Sequence, residues 1–152
     1  MRFLSDPARN ALAALLLAAS LGACASQPAR DDTAKLALYR AHAGAPVRSF
    51  HFFGSLDSWT PLGDRAVAVW TRPSQAWLLD LDGACSGLDF APAIGLTSSS
   101  GTVSARFDKV LVHDNVGINL PCVIATIRPL DVPALKAAER EQRAARAQGS
   151  GT

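Results

Sequence analysis

The period of apolar and polar positions changes several times along this chain, and each change marks an element. Residues 11–21 (ALAALLLAASL) are apolar almost without a break. That run is too short to cross a bilayer, which needs about 20 apolar residues, and it has the length of a signal-peptide core. From 33 to 42 the spacing is helical. Leu36, Tyr39 and Ala43 form a stripe with Leu38 beside it, and Asp32 or Thr33 is placed to cap the first turn. Asp31 and Asp32 at the start and Arg40 near the end suit the helix dipole, and Gly44 followed by Pro46 stops the helix.

Short β-type runs follow. Residues 47–53 make the first, a segment through Trp59 the next, and 66–71 and 76–81 a hairpin around Arg72-Pro73-Ser74-Gln75. Residues 83–92 are irregular. A third hairpin is predicted from 94–97 through Ser98-Ser99-Ser100-Gly101 into 102–108. There Val103, Ala105 and Phe107 alternate with Ser104, Arg106 and Asp108, the clearest period-two pattern in the chain. Residues 110–112 and 122–128 give the last strands, with a polar loop at 113–117 between them. Asp131 then caps a second helix, with Pro133 tolerated in its first turn. Its apolar stripe is thin, Leu135 and Ala138, and beyond Glu139 it is charged nearly all round, so its end is expected to fray.

Five to seven strands joined by hairpin loops, with a helix at either end, predict an α+β fold. The expectation is a small, mostly antiparallel β-sheet with the N-terminal helix packed on it and a C-terminal helix. The chain divides into a signal peptide (1–23), a tether (24–32), an α+β domain (33–130), a C-terminal helix (131–147) and a disordered tail (148–152).

Composition sharpens this. Hydrophobic residues make up 49% of the 152 residues and the mean hydropathy is +0.14, but much of the excess lies in the first 23 residues. Of the 15 Lys and Arg, Arg2 and Arg9 precede Cys24, and of the 13 acidic residues, Asp6 does. The remaining 129 residues therefore carry 13 basic and 12 acidic groups. A near-neutral domain lacks the field of a nucleic-acid-binding protein.

Leu21-Gly22-Ala23-Cys24 resembles the lipobox of bacterial lipoproteins, an aliphatic residue and two small ones before an obligatory cysteine. The resemblance implies a lipid thioether on Cys24, cleavage after Ala23 and acylation of the new amine. Several acyl chains at one site give firm anchoring, since each buried CH₂ contributes about 0.8 kcal/mol. Ala25, rather than Asp, after the cysteine favours the outer membrane, periplasmic face. Retention in the inner membrane, or secretion to the periplasm, is the alternative.

With Cys24 taken by lipid, Cys85 and Cys122 remain, and in an oxidising compartment such a pair is most simply a disulfide. No C-x-x-C is present. Gly83-Ala84-Cys85-Ser86-Gly87 spells a cysteine version of the nucleophile elbow, but Pro92 stands where its helix would run. His42, His51 and His113 lack metal-ligand spacing, and no metal or cofactor is expected. Asp80-Leu81-Asp82-Gly83 starts like a calcium loop without its later glycine and glutamate; Asp82 and Asp89 meeting near Cys85 would make at most a weak cation site. Ser98, Ser99 and Ser100 read as a turn. Trp59, Trp70 and Trp77 fall close to Phe50, Phe52 and Phe53: either a shared core or an aromatic ligand groove flanked by Arg48, Arg65 and Arg72.

LALYRAHAG, WTPLGDRAVAVWTRPSQAWLLDLDG, SARFDKVLV and C-x-I-x-x-I-R-P-L-D together resemble a family of short proteobacterial lipoproteins known only as a domain of unknown function. The resemblance spans residues 35–138 and rests on Trp59, Gly63, Trp70, Leu79, Asp80, Cys85, Arg106, Phe107, Asp108, Cys122, Ile124, Ile127 and Arg128. It implies a periplasmic α+β domain with Cys85 and Cys122 paired, and it carries no catalytic residues across. The expected function is a non-catalytic binding or adaptor module, held to the membrane through Cys24 and meeting an envelope protein partner, without nucleic acid. A small cysteine-dependent hydrolase or redox enzyme, or a carrier of a small hydrophobic ligand, are the competing readings.

Overall fold

The computed structural model describes residues 28–113 and 119–149; the expected signal peptide and Cys24 lie outside them. Helix α1 runs over Pro28–Ala41, and eight strands follow: β1 Ser49–His51, β2 Ser58–Pro61, β3 Ala66–Arg72, β4 Gln75–Leu81, β5 Ala93–Leu96, β6 Thr102–Ser104, β7 Lys109–His113 and β8 Asn119–Leu130. Helix α2, Val132–Gly149, closes the described chain. Six strands form one antiparallel sheet in the order β2-β3-β4-β8-β7-β5, and β1 and β6 pair as a separate ribbon. The α+β expectation holds. The sheet is larger than the small one predicted, and it curls until its outer strands, β2 and β5, border one cleft, in a nearly barrel-like form.

Alternation within β3 explains why the sheet is covered on both faces. Ala66 and Ala68, with Ala76 of β4, present small residues beside Leu78 to Tyr39 of α1 and to Val132 and Leu135 of α2. Small side chains let the two helices settle closely onto that face. Val67 and Val69, with Leu79, point the other way, against Phe50 of β1 and Val103 of β6. Strand β3 is thus buried on both sides over its first five residues. Each fully buried Val or Leu contributes about 1.5–3 kcal/mol, so this strand is a main source of stability.

Strand β8 joins the two halves. Its first part pairs with β7, Lys109 opposite Val123, and its second with β4, Leu78 opposite Arg128. Asp80 faces Thr126 while Leu81 faces Ile124, which leaves Ala125 as an extra residue in a β-bulge. The disulfide Cys85–Cys122 ties this strand to the loop after β4, with Cα atoms 5.7 Å apart and 37 residues of separation.

Several boundaries differ from the sequence reading. Helix α1 begins at Pro28 rather than Asp32 or Thr33, which takes in part of the expected tether. Helix α2 continues to Gly149, past the expected boundary at 147 and through the charged stretch expected to fray; residues 150–152 lie outside the described chain. Its cap is as expected, with Ala134 N–H donating to Asp131 Oδ1 at 3.0 Å.

The third hairpin is the main correction. A tight two-residue turn does form at Ser100-Gly101, both at positive φ (51° and 73°), with Ser99 and Thr102 bridging it. The strands on either side then diverge, β5 to β7 and β6 to β1. The period-two run also breaks after Ser104, so that Phe107 is 82% exposed and Asp108 only 7%. The expected faces are inverted there.

Replacing Cys85 and Cys122 together by alanine is expected to lower the unfolding free energy by about 2–4 kcal/mol, as for a bridge closing a loop of this length. Urea melts would read it, and an unchanged midpoint would show that the bridge contributes nothing to the fold.

Candidate functional site

The inversion after β6 builds the most distinctive surface feature of the described chain. Asp108 turns inward because two donors wait for it: Thr97 Oγ1 donates to Oδ1 at 2.7 Å and the Ser104 amide to Oδ2 at 2.8 Å. Its own amide returns to the Ser104 carbonyl at 2.9 Å, and the Lys109 amide donates to Thr97 Oγ1 at 2.9 Å. A buried carboxylate is tolerated only when paired in this way. Closing the turn places Arg106 at φ 69°, in the left-handed region that disfavours residues with a Cβ. The turn is docked on β8 by the Arg106 amide to the Ile124 carbonyl and by the Ile124 amide to the Asp108 carbonyl.

Opposite the turn, residues 46–49 run beside β8. The Val47 amide donates to the Ile127 carbonyl, and the Ala105 amide donates to the Arg48 carbonyl. Between these segments lies a groove of about 540 Å³, with the bulge at Ala125 and Thr126 along its β8 side and Arg48, Ser49, Ser104, Arg106 and Phe107 on its other sides. No carboxylate lines it. Arg48 and Arg106 are both exposed, and their guanidinium groups have no ion-pair or hydrogen-bond partner among the described residues.

The three tryptophans do not share one surface. Trp59 and Trp77 flank Val69 across β2, β3 and β4 on one face of the sheet, where Trp77 stacks on Phe50 at 4.8 Å. Its Nε1–H is buried without an acceptor among the described residues. Trp70 points to the opposite face, edge-on to Tyr39 at 6.2 Å. A groove lined by all three is therefore not formed. Trp59 alone borders a cleft, the one between β2 and β5. The flanking arginines are scattered as well: Arg72 lies over the Phe53 ring, Arg65 borders a hollow with Asp64 and Asp89, and only Arg48 reaches the groove.

Both sulfurs of Cys85 and Cys122 are taken by the disulfide. After Gly87 the chain enters a three-residue 3₁₀ turn, Leu88–Phe90, so the nucleophile-elbow geometry is not formed. No group of three or more His, Cys, Asp or Glu side chains among the described residues is arranged to hold a metal ion. Asp80 is paired with Arg40 at 2.9 Å, which ties α1 to β4 instead of opening a calcium loop. Ser99 and Ser100 belong to the turn described above.

Among the described residues, Tyr39 and Asp89 have displaced pKa values. Tyr39 is held well above the ordinary phenol range, first by burial and then by Glu139, whose Oε1 accepts its hydroxyl at 2.8 Å. This bond joins α1 to α2. Asp89, an exposed residue, is raised from the ordinary carboxylate value, first by slight burial and then by the charges of Asp32 and Asp64, with Lys35 opposing.

Sequence reasoning marked Arg48 as a flank of the wrong groove and assigned Arg106 to the polar face of a strand. The signal missing was Thr97, whose hydroxyl claims Asp108 from eleven residues away.

Taken together, the described chain is an α+β protein with one curled antiparallel sheet, one disulfide and an arginine-flanked groove at a strand bulge. The chain belongs to DUF6491, a family of unknown function whose model matches residues 7–146. No curated protein and no solved structure matches it.

Asp108→Ala would leave the Ser104 amide and the Thr97 hydroxyl without their acceptor. A loss of about 2–3 kcal/mol is expected in urea melts, and a loss within error would show that the turn is held by other contacts. Asp89 has a raised folded pKa, so its contribution favours folding at low pH and is lost as pH rises through that value. Asp89→Asn should therefore melt above the wild type at about pH 7 and level with it near about pH 3. Equal melting temperatures at both would remove the acidic cluster as a source of strain.

Proposed function

We propose that this protein is a lipid-anchored, periplasm-facing module of the cell envelope that acts by binding, as an adaptor, and not by catalysis. The observation that carries the reading is Leu21-Gly22-Ala23-Cys24, a lipobox-like site directly after an apolar run of signal-peptide length. The disulfide supports it, since such bridges persist in oxidising compartments and are rare in a reducing cytosol. Ala25 in place of Asp favours the outer membrane over the inner.

The fold gives this anchor a geometric consequence. Only residues 25–27 separate Cys24 from Pro28, the first residue of α1, so the link spans at most about 14 Å. The start of α1 would sit close to the lipid surface. With 14 residues, α1 reaches about 21 Å further, and the segment with Arg48 follows its far end. With α1 directed away from the surface, the arginine-flanked groove would lie toward the periplasm, within reach of a soluble ligand or protein partner.

Expressed in its own cells with labelled palmitate, the protein should incorporate label and sediment with outer membranes, whereas Cys24→Ala should do neither. Label-free protein recovered from the soluble periplasm would replace the anchored reading with a secreted one, and sedimentation with inner membranes would move the site of action.

A further inference from the structure

We infer that the groove between residues 46–49 and 104–107 is an anion-binding site, taking a carboxylate or phosphate carried on an apolar body. The inference deepens the binding reading above and rests on it. The anchor is judged by fractionation, whereas this site is judged only by titration, so the two can fail separately.

Charge is the first ground. Arg48 and Arg106 bring two guanidinium groups to one groove that no carboxylate lines. Several other basic side chains are engaged elsewhere: Arg40 with Asp80, Arg128 with the Gly44 carbonyl, Arg143 with the Glu139 carbonyl and Lys35 with the Pro61 carbonyl. The groove between α1 and α2, by contrast, mixes Asp31, Asp32 and Glu139 with Lys35, Arg143 and Arg146, charges of both signs that leave little net field. A guanidinium presents its donors in a planar fork that matches carboxylate and phosphate oxygens. Ser49, Ser104 and Thr126 add hydroxyl donors along the same groove.

Backbone geometry is the second ground, independent of charge. Among the described residues, positive φ falls on five glycines, on Ser100 in its tight turn, and on Arg106. A glycine at 106 would meet the demands of the turn without strain. An arginine there gives the position a long cationic side chain at a conformational cost, and strained residues of this kind persist where the surroundings over-determine them. Here the Asp108 network does so.

Phe107 is the third ground. At 82% exposure on the rim of the groove, it offers an aromatic face beside the two cations. An anion bearing an apolar or aromatic body would be held at both ends.

The test uses the chain purified from its own cells in detergent, with benzoate and phenyl phosphate as anionic probes and benzamide as the neutral control. In ¹H–¹⁵N spectra, the Nε–H signals of Arg48 and Arg106 should shift saturably with at least one anion and not with benzamide. The anion that binds more tightly names the group. Arg106→Gly should weaken that binding at least tenfold while its melting temperature holds or rises, because glycine suits φ 69°. Arg48→Gln, on unstrained ground, should weaken it similarly and guards against a folding defect in the first variant. Absence of saturable shifts with both anions, equal shifts with benzamide, or binding within twofold of wild type in both variants would overturn the site.

Discussion

Strand β8 is required to pair with two strands that lie on opposite edges of it and at opposite ends. Residues up to Val123 face β7, and those from Ile124 face β4. A straight, regular strand would carry its ladder on unchanged. The extra residue at Ala125 breaks the register, and bulges of this type bend a strand and increase its local twist. The curl that brings β2 and β5 to one cleft, the seating of β1 and β6 over the inner face and the start of α2 one residue after β8 all follow from where this strand goes. The disulfide at Cys122 holds its first half against the loop after β4. The segment through Ala43 and Val47 covers the edge of its second half.

The elements set by near neighbours were legible in the sequence. The β3–β4 hairpin follows from alternating Ala and Val, then Trp77, Leu79 and Leu81, around a short polar turn. The start of α2 follows from Asp131, whose carboxylate needs only the amide three residues on. The opposite facing of Trp70 and Trp77 was legible too, since the hairpin register sets Trp70 against Ala76 and Val69 against Trp77. Clustering in sequence drew attention to the tryptophans as a set, while parity separates them.

What the sequence did not disclose depends on distant partners. Residues 102–108 read as one strand because their side chains alternate, and the alternation is real up to Ser104. Beyond it, Asp108 turns inward to Thr97 and the Ser104 amide while Phe107 turns out, and the faces invert. Nothing local distinguishes an aspartate on a solvent face from one with two donors waiting. The choice of β7 by β5, and of β1 by β6, is likewise a matter of long-range pairing, which a good turn at Ser100-Gly101 does not decide. The extent of α2 was underestimated for a related reason. Its apolar stripe ends early, but Tyr39 reaches across from α1 to Glu139 and fastens the helix one turn beyond Leu135.

The groove owes its existence to two departures from regular structure that meet on β8. On one side, residues 46–49 touch the strand through the Ile127 carbonyl; on the other, the turn after β6 touches it through the Ile124 carbonyl. In an ideal strand, two carbonyls three residues apart point to opposite edges, because the direction alternates with period two. The bulge at Ala125 turns both to the same edge. Two separate segments can then dock side by side with a gap between them, where a single regular strand would have sealed the edge. The left-handed Arg106 is the matching irregularity on the docking side, since it ends β6 early and turns the chain onto β8 before β7 begins. Straightening either feature would close the groove and leave a more regular sheet. The arginines at its rim therefore flank the same bulge that bends β8 and curls the sheet.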